Sequence, residues 1–485
     1  MLRHLRIQNF KAWKDTGNIE LAPITVFLGT NSSGKSSIAQ FLMMLKQTVE
    51  YADPSMTLFT GDDKSAVDVG IPSQMLYGHD MSQSLRFFYD WDINMPFRFS
   101  FDSKWGNSLE KELPKDEQSF FVGTTAGFTS SIEVINKFTQ TLGVENFIYD
   151  VVHNGYPAFS VEMKRANMLG KQAYEVLTNN ITPLPSTPSD MPVLPVKFYA
   201  FSEGAFAHYN IPAVRTLQVL HYGLFSSIYY IGPLRAKPHR FYSWIGNMLA
   251  DVGSDGSNAI FALIAANAAF KQFELKNVEK NQYNNFSISS IVAEMLKNME
   301  LIEEFKLTPL NGELRHYEVA VRTKGSSVWA HLPDVGFGIS QVLPILVELF
   351  SVPIGSIILM EQPELHLHPS AQAALADVMI DAIRARENGQ DRNIQLLIET
   401  HSEHFLRRLQ RRIAEGVIDE KTVRGYFADT SETPFQLRPL EIDTYGNILN
   451  WPENFFGDIG NDIYLQADAA LERKINGMRK KSENH

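Results

Sequence analysis

The sequence predicts an α/β fold in which a mostly parallel sheet is flanked by helices, accompanied by an antiparallel β-containing first lobe and an α+β insertion. The first observation is an alternation of apolar strand patterns with helical patterns in the last third of the chain, over residues 356–360, 370–384, 394–399 and 404–415. The second is a strand, loop and helix unit within the first 48 residues. Such alternation is typical of a sheet with helices packed on it.

The N-terminal unit contains two predicted strands and one predicted helix. The first strand carries Leu5 and Ile7 in an alternating pattern, and the second is a short apolar run over residues 24–28 that ends in a glycine. The helix begins near Lys35, and its apolar residues have the spacing of a face packed on a core. A buried strand that feeds a turn and a helix is therefore expected here.

Composition narrows the classes of function. The chain has 485 residues, enough for two or three folding units, with 44 basic and 55 acidic residues and a net charge of -11. This balance argues against a dedicated nucleic-acid coat protein. The chain has no cysteine, which excludes disulfides, thiolate zinc sites and a cysteine nucleophile and favours a cytoplasmic location. No apolar run approaches the roughly 18 residues of a membrane helix, so no membrane role is expected.

The pattern divides the chain into five predicted segments. The second, residues 49–225, reads as an insertion without the sustained heptads of a coiled-coil arm. The division is 1–48 (first lobe with a glycine-rich loop), 49–225 (insertion), 226–350 (continuation of the lobe), 351–449 (acidic strand and histidine) and 450–485 (C-terminal tail).

A complete phosphate-loop pattern, G-x-x-x-x-G-K-[ST], occupies the turn between the second strand and the helix. It reads Gly29-Thr30-Asn31-Ser32-Ser33-Gly34-Lys35-Ser36. The glycines let backbone amides point at phosphates, Lys35 supplies charge to the β- and γ-phosphates, and the Ser36 hydroxyl can bind Mg²⁺. The pattern predicts a site for a nucleoside triphosphate and Mg²⁺.

A second pattern is an apolar strand that ends in an acid. Residues 357–360 lead into Glu361, which is placed to be the carboxylate of a hydrated Mg²⁺. Gln362 and Glu364 follow it. The alternative interpretation is a strand with a solvated acidic end. It is less favoured because the same chain contains a phosphate loop.

Two weaker patterns lie near the acidic strand. Gly336, Gly338 and Ser340 open a predicted helix, and exposed amides at such a start form an anion site. The strand over residues 395–398 leads into Glu399-Thr400-His401-Ser402, where His401 can donate a hydrogen bond to a γ-phosphate. Taken alone, glycines before a helix and a single histidine are more often structural.

The four motifs in this order resemble the ABC-class ATPases, most closely the SMC-like and OLD-like (RecF-like) branch of bacterial repair and phage-defence operons. The resemblance covers residues 1–48 and about 226–415. It implies an ABC-type ATPase head with ATP and Mg²⁺ as cofactors. It implies that residues 29–37 form the Walker A loop, which includes Asn31, Ser32, Ser33 and Ser37. It also implies that Glu361 is the Walker B acid, that residues 336–341 are the signature segment and that His401 is the switch histidine.

This sequence departs from the general pattern at two places. Gln362 stands where these ATPases have the glutamate that activates water, and an amide is a very poor proton acceptor. Hydrolysis is therefore expected to be slow, or to use Glu364 or His401. His368 stands where an aspartate is usual in the D-loop, and residues 450–456 are similar to the ending of uncharacterised bacterial ATPases.

The resemblance implies a homodimer, or a higher homo-oligomer, that sandwiches two ATP molecules. The predicted function is a sensor or regulator in anti-phage defence or DNA repair that controls a separate effector such as a nuclease. The alternatives are an OLD-like nuclease subunit or a repair motor acting on DNA, and the motor subunit of a transporter. Nucleic acid remains an alternative partner because of two basic features, Arg407, Arg408, Arg411 and Arg412 on one helix and Arg235, Lys237 and Arg240 after a strand.

Overall fold

A computed structural model of the protein describes most of the chain. The described residues are 1–93, 120–132, 140–153, 155–168, 171–181, 193–209, 211–246, 248–277, 282–310, 315–452, 464–466, 468–470 and 473. Most of the predicted tail, 450–485, and the similarity over 453–456 therefore lie outside the described residues.

The strands follow one another along the chain in this order. They are β1 (Leu2–Phe10), β2 (Trp13–Asp15), β3 (Ile19–Glu20), β4 (Ile24–Gly29), β5 (Leu85–Ile93), β6 (Phe120–Ile132), β7 (Gln140–His153), β8 (Tyr156–Met168), β9 (Lys171–Asn179), β10 (Pro195–Val196), β11 (Ala200–Phe201), β12 (Ile228–Ile231), β13 (Phe241–Ser243), β14 (Gln272–Asn277), β15 (Gln282–Ser287), β16 (Glu304–Pro309), β17 (His316–Arg322), β18 (Ala330–His331), β19 (Ile357–Glu361), β20 (Arg386–Glu387), β21 (Gln390–Asp391), β22 (Gln395–Glu399), β23 (Val423–Asp429) and β24 (Gln436–Leu440).

The helices connect these strands. They are α1 (Lys35–Glu50), α2 (Pro72–Met75), α3 (Glu203–Tyr209), α4 (Pro212–Ser226), α5 (Ala259–Ala268), α6 (Ile288–Asn298), α7 (Phe337–Ser351), α8 (Pro369–Arg384) and α9 (Glu403–Ala414).

The central sheet has the order β12-β19-β22-β4-β23-β24. Its first five strands are parallel, and β24 pairs antiparallel with β23. Nearly every residue of β4, β19 and β22 is buried, as expected for parallel strands covered on both faces. The predicted α/β class with a mostly parallel sheet is confirmed.

Alternate residues of the central strands pack into two separate hydrophobic cores. Val26, Ile358 and Ile398 join the core that contains α5 to α8, whereas Phe27 and Leu397 join the core that contains α1 and α4. This division follows from the period of two in a strand. Helix α1 and the phosphate loop therefore lie between the parallel sheet and the antiparallel sheet.

The antiparallel sheet combines the first lobe with much of the segment predicted as an insertion. Its order is β2-β1-β5-β6-β7-β8-β9, with β3 also paired to β1. Strand β5 pairs along β1 from Leu2 to Gln8. Residues on either side of position 48 thus share one sheet and one core, a long-range pairing that the local sequence pattern did not indicate.

Two smaller sheets flank the helical core around α5 to α7. One has the order β13-β17-β16 with β18 on β17, and the other has the order β15-β14-β20-β21. In the part of the chain that is described, no helix has the length and hydropathy needed to cross a membrane.

Candidate functional site

The phosphate loop is fixed at Gly34, where β4 has ended and α1 begins. Gly34 has a φ of 86°, and a Cβ there would lie 2.8 Å from the Cβ of Ala12. The indole Nε1–H of the fully buried Trp13 donates to the Gly34 carbonyl at 2.9 Å. Only glycine satisfies both the backbone angle and this close approach. The turn after β1, together with Trp13 at the start of β2, therefore supports the phosphate loop.

Lys35 lies folded against the phosphate loop. Its side chain is buried, and Nζ donates to the carbonyls of Gly29 at 3.2 Å and Thr30 at 2.7 Å and to Ser33 Oγ at 3.3 Å. Burial lowers the pKa of the Lys35 ammonium. An ammonium group held by loop carbonyls is placed to bind phosphate oxygens. Their negative charge would stabilise the charged form of Lys35, which burial disfavours.

A cavity of about 280 Å³ opens beside the loop, and the lining of this cavity is the candidate nucleotide pocket. Six predicted residues line it, namely Ser32, Ser33, Gly34, Lys35, Ser36 and Ser37. Gly29 and Asn31 belong to the same loop outside this lining. The first turn of α1 has no acidic residue, which leaves the positive end of the helix to an anion.

Two buried carboxylates face the Ser36 hydroxyl. Ser36 Oγ donates to Glu399 Oε2 at 2.7 Å. A hydrogen bond from Ser36 also lowers the pKa of Glu361, against the larger effect of burial. Burial, together with the nearby Glu399, raises the pKa of Glu361 to about 7. Burial likewise raises the pKa of Glu399. The structure thus brings the predicted metal residues Ser36 and Glu361 together and adds a second acid.

The two acids occupy neighbouring strand ends at the carboxyl edge of the sheet. Glu361 ends β19 and lies opposite Glu399, which ends β22, and Glu399 lies opposite Phe27 of β4 on its other side. Tyr230, at the end of β12, donates its hydroxyl to Glu361 Oε1 at 2.9 Å. The parallel register therefore places Glu399 one strand nearer to the phosphate loop than Glu361.

These residues fit a nucleotide-bound Mg²⁺ ion. Mg²⁺ in nucleotide sites is held by one or two carboxylates, a hydroxyl, phosphate oxygens and water rather than by an all-protein cage. Among the described residues no group of three or more acidic or histidine side chains converges as a metal cluster, so phosphate oxygens would complete the coordination. Ser36 and Glu361 are the predicted side chains that would hold the ion, and Glu399 lies beside both of them.

The turn after Glu361 is held from several sides. Gln362 has a left-handed φ of 45°, and its amide donates to the Glu399 carbonyl at 2.8 Å. The buried Arg235 donates through Nη2 to the carbonyls of Glu361 and Gln362, both at 3.3 Å. Burial lowers the pKa of Arg235 to about 10. Arg235, singled out in the sequence as a basic residue after a strand, lies inside the site and orients this turn.

Glu364 and His401, the alternative candidates for the base, lie against each other. The His401 amide donates to Glu364 Oε1 at 2.8 Å, so this carboxylate holds the start of the loop that leads to α9. Burial raises the pKa of Glu364, whereas burial and the nearby Lys35 lower the pKa of the His401 imidazole. The imidazole is therefore neutral at neutral pH.

The signature segment lies away from this cavity. Gly336 caps α7 and is exposed, while the Ser340 hydroxyl is turned back to the Phe337 carbonyl at 2.7 Å. None of these residues belongs to the described lining of the pocket beside the loop. A Cβ on Gly338 would lie 3.2 Å from the carbonyl of His366, so the segment that leads to His368 packs directly on the first turn of α7.

His368, at the position of the usual D-loop aspartate, has a structural contact. Its Nδ1 accepts from the Ser370 amide at 3.3 Å and therefore caps α8. Histidine is an uncommon cap, and here it performs the task that aspartate performs in many helices.

Four residues of the site were missed as site residues by sequence reasoning. Glu399 had a usable signal, because it ends an apolar strand as Glu361 does. Lys11 lines the pocket beside the loop, with Nζ donating to Gln40 Oε1 at 2.6 Å. Trp13 and Tyr230 had no local signal, since only strand pairing brings them to the loop and to Glu361.

The four arginines of α9 all contact acidic side chains. Arg408 and Arg412 bind Asp377 of α8, with Arg412 Nε at 2.6 Å from its carboxylate. Arg407 binds Glu403 at the start of α9, and Arg411 binds Glu415 directly after its last residue. Arg240, similarly, forms a bidentate pair with Asp334 at 2.6 Å. These contacts favour a solvated, ion-paired surface over a free cationic one.

Comparison with known families gives three matches along the chain. A model described as an AAA ATPase domain matches residues 1–142, and a model of an AAA domain of the AbiEii-like, type IV toxin–antitoxin kind matches residues 239–407. A protein family of unknown function, DUF3696, matches residues 418–465. No curated protein matches the chain.

Several solved SMC head domains cover 91% of this chain. An SMC head bound to the C-terminal winged-helix domain of ScpA has 12% identity, 98% coverage of its own chain and a TM-score of 0.39. The Thermotoga maritima SMC head has 9% identity, 99% coverage of its own chain and a TM-score of 0.37. An SMC head with an extended coiled coil, bound to the C-terminal domain of ScpA from Pyrococcus furiosus, has 11% identity, 96% coverage of its own chain and a TM-score of 0.38.

The phosphate loop between β4 and α1 and the acids at the carboxyl edge of a mostly parallel sheet are features of a P-loop ATPase with an α/β fold. The matches to two AAA domain models support an ATPase of the AAA type. The ATPase class that the motifs indicate is confirmed.

Proposed function

We propose that two copies of this ATPase close on two ATP·Mg²⁺ molecules, turn over slowly, and signal the closed state to a separate effector in anti-phage defence or DNA repair. Each ATP would contact the phosphate loop of one chain and the signature turn of the other. Binding free energy would then appear as closure of the dimer, and closure would be the signal.

The observation that carries this proposal is the separation of the two phosphate-binding elements within one chain. The pocket beside Lys35 is not lined by residues 336–341, although the exposed start of α7 offers backbone amides of the kind that bind anions. A second copy related by twofold symmetry can bring its own α7 to this pocket, and the reverse contact forms at the same time.

Slow turnover is supported by the groups available for activating water. Gln362 follows the Walker B acid, and amides accept protons poorly. Glu364 accepts the His401 amide through Oε1 and is only 6% exposed, so water reaches its carboxylate only after a rearrangement. Bound ATP would therefore persist long enough to act as a clamp.

The proposed setting has two supports. The description of the AAA domain that matches residues 239–407 refers to a toxin–antitoxin system, which is a kind of bacterial defence. The absence of cysteine suits a reducing compartment such as the cytoplasm. Direct action on DNA is the weaker alternative, because the arginines of α9 are engaged by carboxylates.

A complementation experiment tests the shared site. Lys35→Ala removes the phosphate-loop charge, whereas Gly336→Asp places a negative charge at the signature turn, where a Cβ meets nothing within 4 Å. Each variant alone is expected to lack ATP turnover. A mixture regains phosphate release, at most roughly a quarter of the normal rate, because half of the random dimers carry one intact composite site.

Gly336→Ala is the matched control, since it adds a Cβ at the same open position without charge, and it should keep normal turnover. An inactive mixture, with both variants folded and Gly336→Ala active, would contradict the shared site. Full activity of Gly336→Asp alone would also contradict it.

A further inference from the structure

We propose that Glu399 is the second carboxylate of the Mg²⁺ site and binds the ion together with Ser36 and Glu361. This inference rests on the proposed binding of ATP with Mg²⁺. It assigns a role to an acid that the sequence pattern placed only at the end of the strand before His401.

The position of Glu399 is fixed by both neighbouring strands. β22 lies between β19 and β4, so its last residue pairs with Glu361 on one side and Phe27 on the other. The Glu399 carbonyl accepts the Gln362 amide at 2.8 Å, and the next amide, from Thr400, donates to the Phe27 carbonyl at 3.1 Å. A carboxylate on so rigid a frame is preorganised for a ligand.

The contacts of the carboxylate lead to the residues that meet phosphate and metal. Oε2 accepts the Ser36 hydroxyl at 2.7 Å, and Oε1 lies 3.9 Å from Lys35 Nζ. Two ligands at right angles on one Mg²⁺ ion lie about 3 Å apart, given Mg–O distances near 2.1 Å. The 2.7 Å hydrogen bond between Ser36 Oγ and Glu399 Oε2 is close to this length, so a small separation of the two oxygens would let both bind one ion.

The charge balance at this edge of the sheet also calls for a cation. Glu361 and Glu399 are only 7% and 8% exposed, and they lie on adjacent strand ends. The nearest cation to Glu399, Lys35, is held mainly by the carbonyls of the loop. Buried charges are normally paired or bound to metal, and a divalent ion between the two acids would provide that pairing.

Titration with Mn²⁺, followed by its electron paramagnetic resonance signal in the presence of a non-hydrolysable ATP analogue, tests this role. Glu399→Gln keeps the size of the side chain and its hydrogen bond from Ser36 but removes the charge. It should weaken Mn²⁺ binding roughly 10- to 100-fold, while binding of the analogue in EDTA stays at the wild-type level. Glu361→Gln should weaken Mn²⁺ binding similarly.

Glu403→Gln is the matched control, because Glu403 is a half-exposed acid at the start of α9 that pairs with Arg407, and it should leave Mn²⁺ affinity unchanged. If Glu399→Gln does not fold, Glu399→Asp should fold with its charge kept and show an intermediate loss of affinity.

Wild-type Mn²⁺ affinity in a folded Glu399→Gln protein would overturn the inference, even if turnover were lost. Glu399 would then act as a base or as an ion-pair partner of Lys35 and not as a metal ligand. Failure of the wild-type protein to bind the analogue at all would instead overturn the proposed function.

Discussion

Glu361 and Glu399 make the charge of the site dependent on pH. Their carboxylates are buried at adjacent strand ends, and burial with mutual repulsion raises the pKa of Glu361 to about 7. An ordinary glutamate is fully ionised at neutral pH, whereas this one still holds a proton in part of the molecules. A metal ion needs the ionised form, so Mg²⁺ binding must release that proton.

Mg²⁺ affinity is therefore expected to fall as the pH falls through about 7. Because the raised pKa leaves the protonated form dominant below that value, affinity should drop roughly tenfold per pH unit there and level off above it. Titration of Mg²⁺ against a bound fluorescent ATP analogue at a series of pH values measures this. Glu361→Gln should bind Mg²⁺ weakly and with a shallower slope, because the pKa of Glu399 is also raised by burial. Glu403→Gln should keep the full slope, and an unchanged slope in Glu361→Gln would contradict the account.

At the residue scale, the sequence predicted the linear motif well and the second acid poorly. Lys35 and Ser36 follow from eight consecutive positions, and Glu361 and His401 follow from the rule that parallel strands end at one edge of a sheet. The importance of Glu399 depends on the strand order, since β22 lies between the other two strands. No local pattern contains that order.

At the element scale, the turn after β1 acts as the support of the phosphate loop. Ala12 limits the space at Gly34, and Trp13 donates its indole N–H to the Gly34 carbonyl. Trp13 and Gly34 are 21 residues apart in sequence. The pairing of β1 with β5 extends the same sheet into residues predicted as an insertion. Such pairings depend on long-range register, which explains why the sequence did not reveal this support.

Two glycine variants separate backbone strain from lost support. Gly17 and Gly34 both have positive φ, 68° and 86°, but a Cβ at Gly17 meets nothing within 4 Å. Gly17→Ala should lower the unfolding free energy by about 1 kcal/mol and leave ATP binding unchanged. Gly34→Ala should lower it by about 3 kcal/mol and abolish ATP binding, because the Cβ collides with Ala12.

Urea unfolding and nucleotide titration on the two proteins measure these effects. Equal losses of stability in the two variants, or normal ATP binding by Gly34→Ala, would show that the turn after β1 does not support the loop.

At the scale of the whole molecule, the two surfaces that are proposed to bind phosphate do not meet within one chain. The pocket beside α1 lies between the two large sheets, whereas the start of α7 belongs to the helical core around α5 to α8. Rigid sheets and well-packed cores leave little freedom for these surfaces to join within one copy. Association of two copies is the arrangement that uses both.

The most direct test of this account is the mass of the purified protein in solution with and without ATP and Mg²⁺, measured beside Lys35→Ala while phosphate release is followed. The account predicts that ATP and Mg²⁺ convert the wild-type protein, but not Lys35→Ala, to a dimer or a larger assembly, with little phosphate released over the measurement. A mass that ATP leaves unchanged, or rapid phosphate release by monomers, would contradict it.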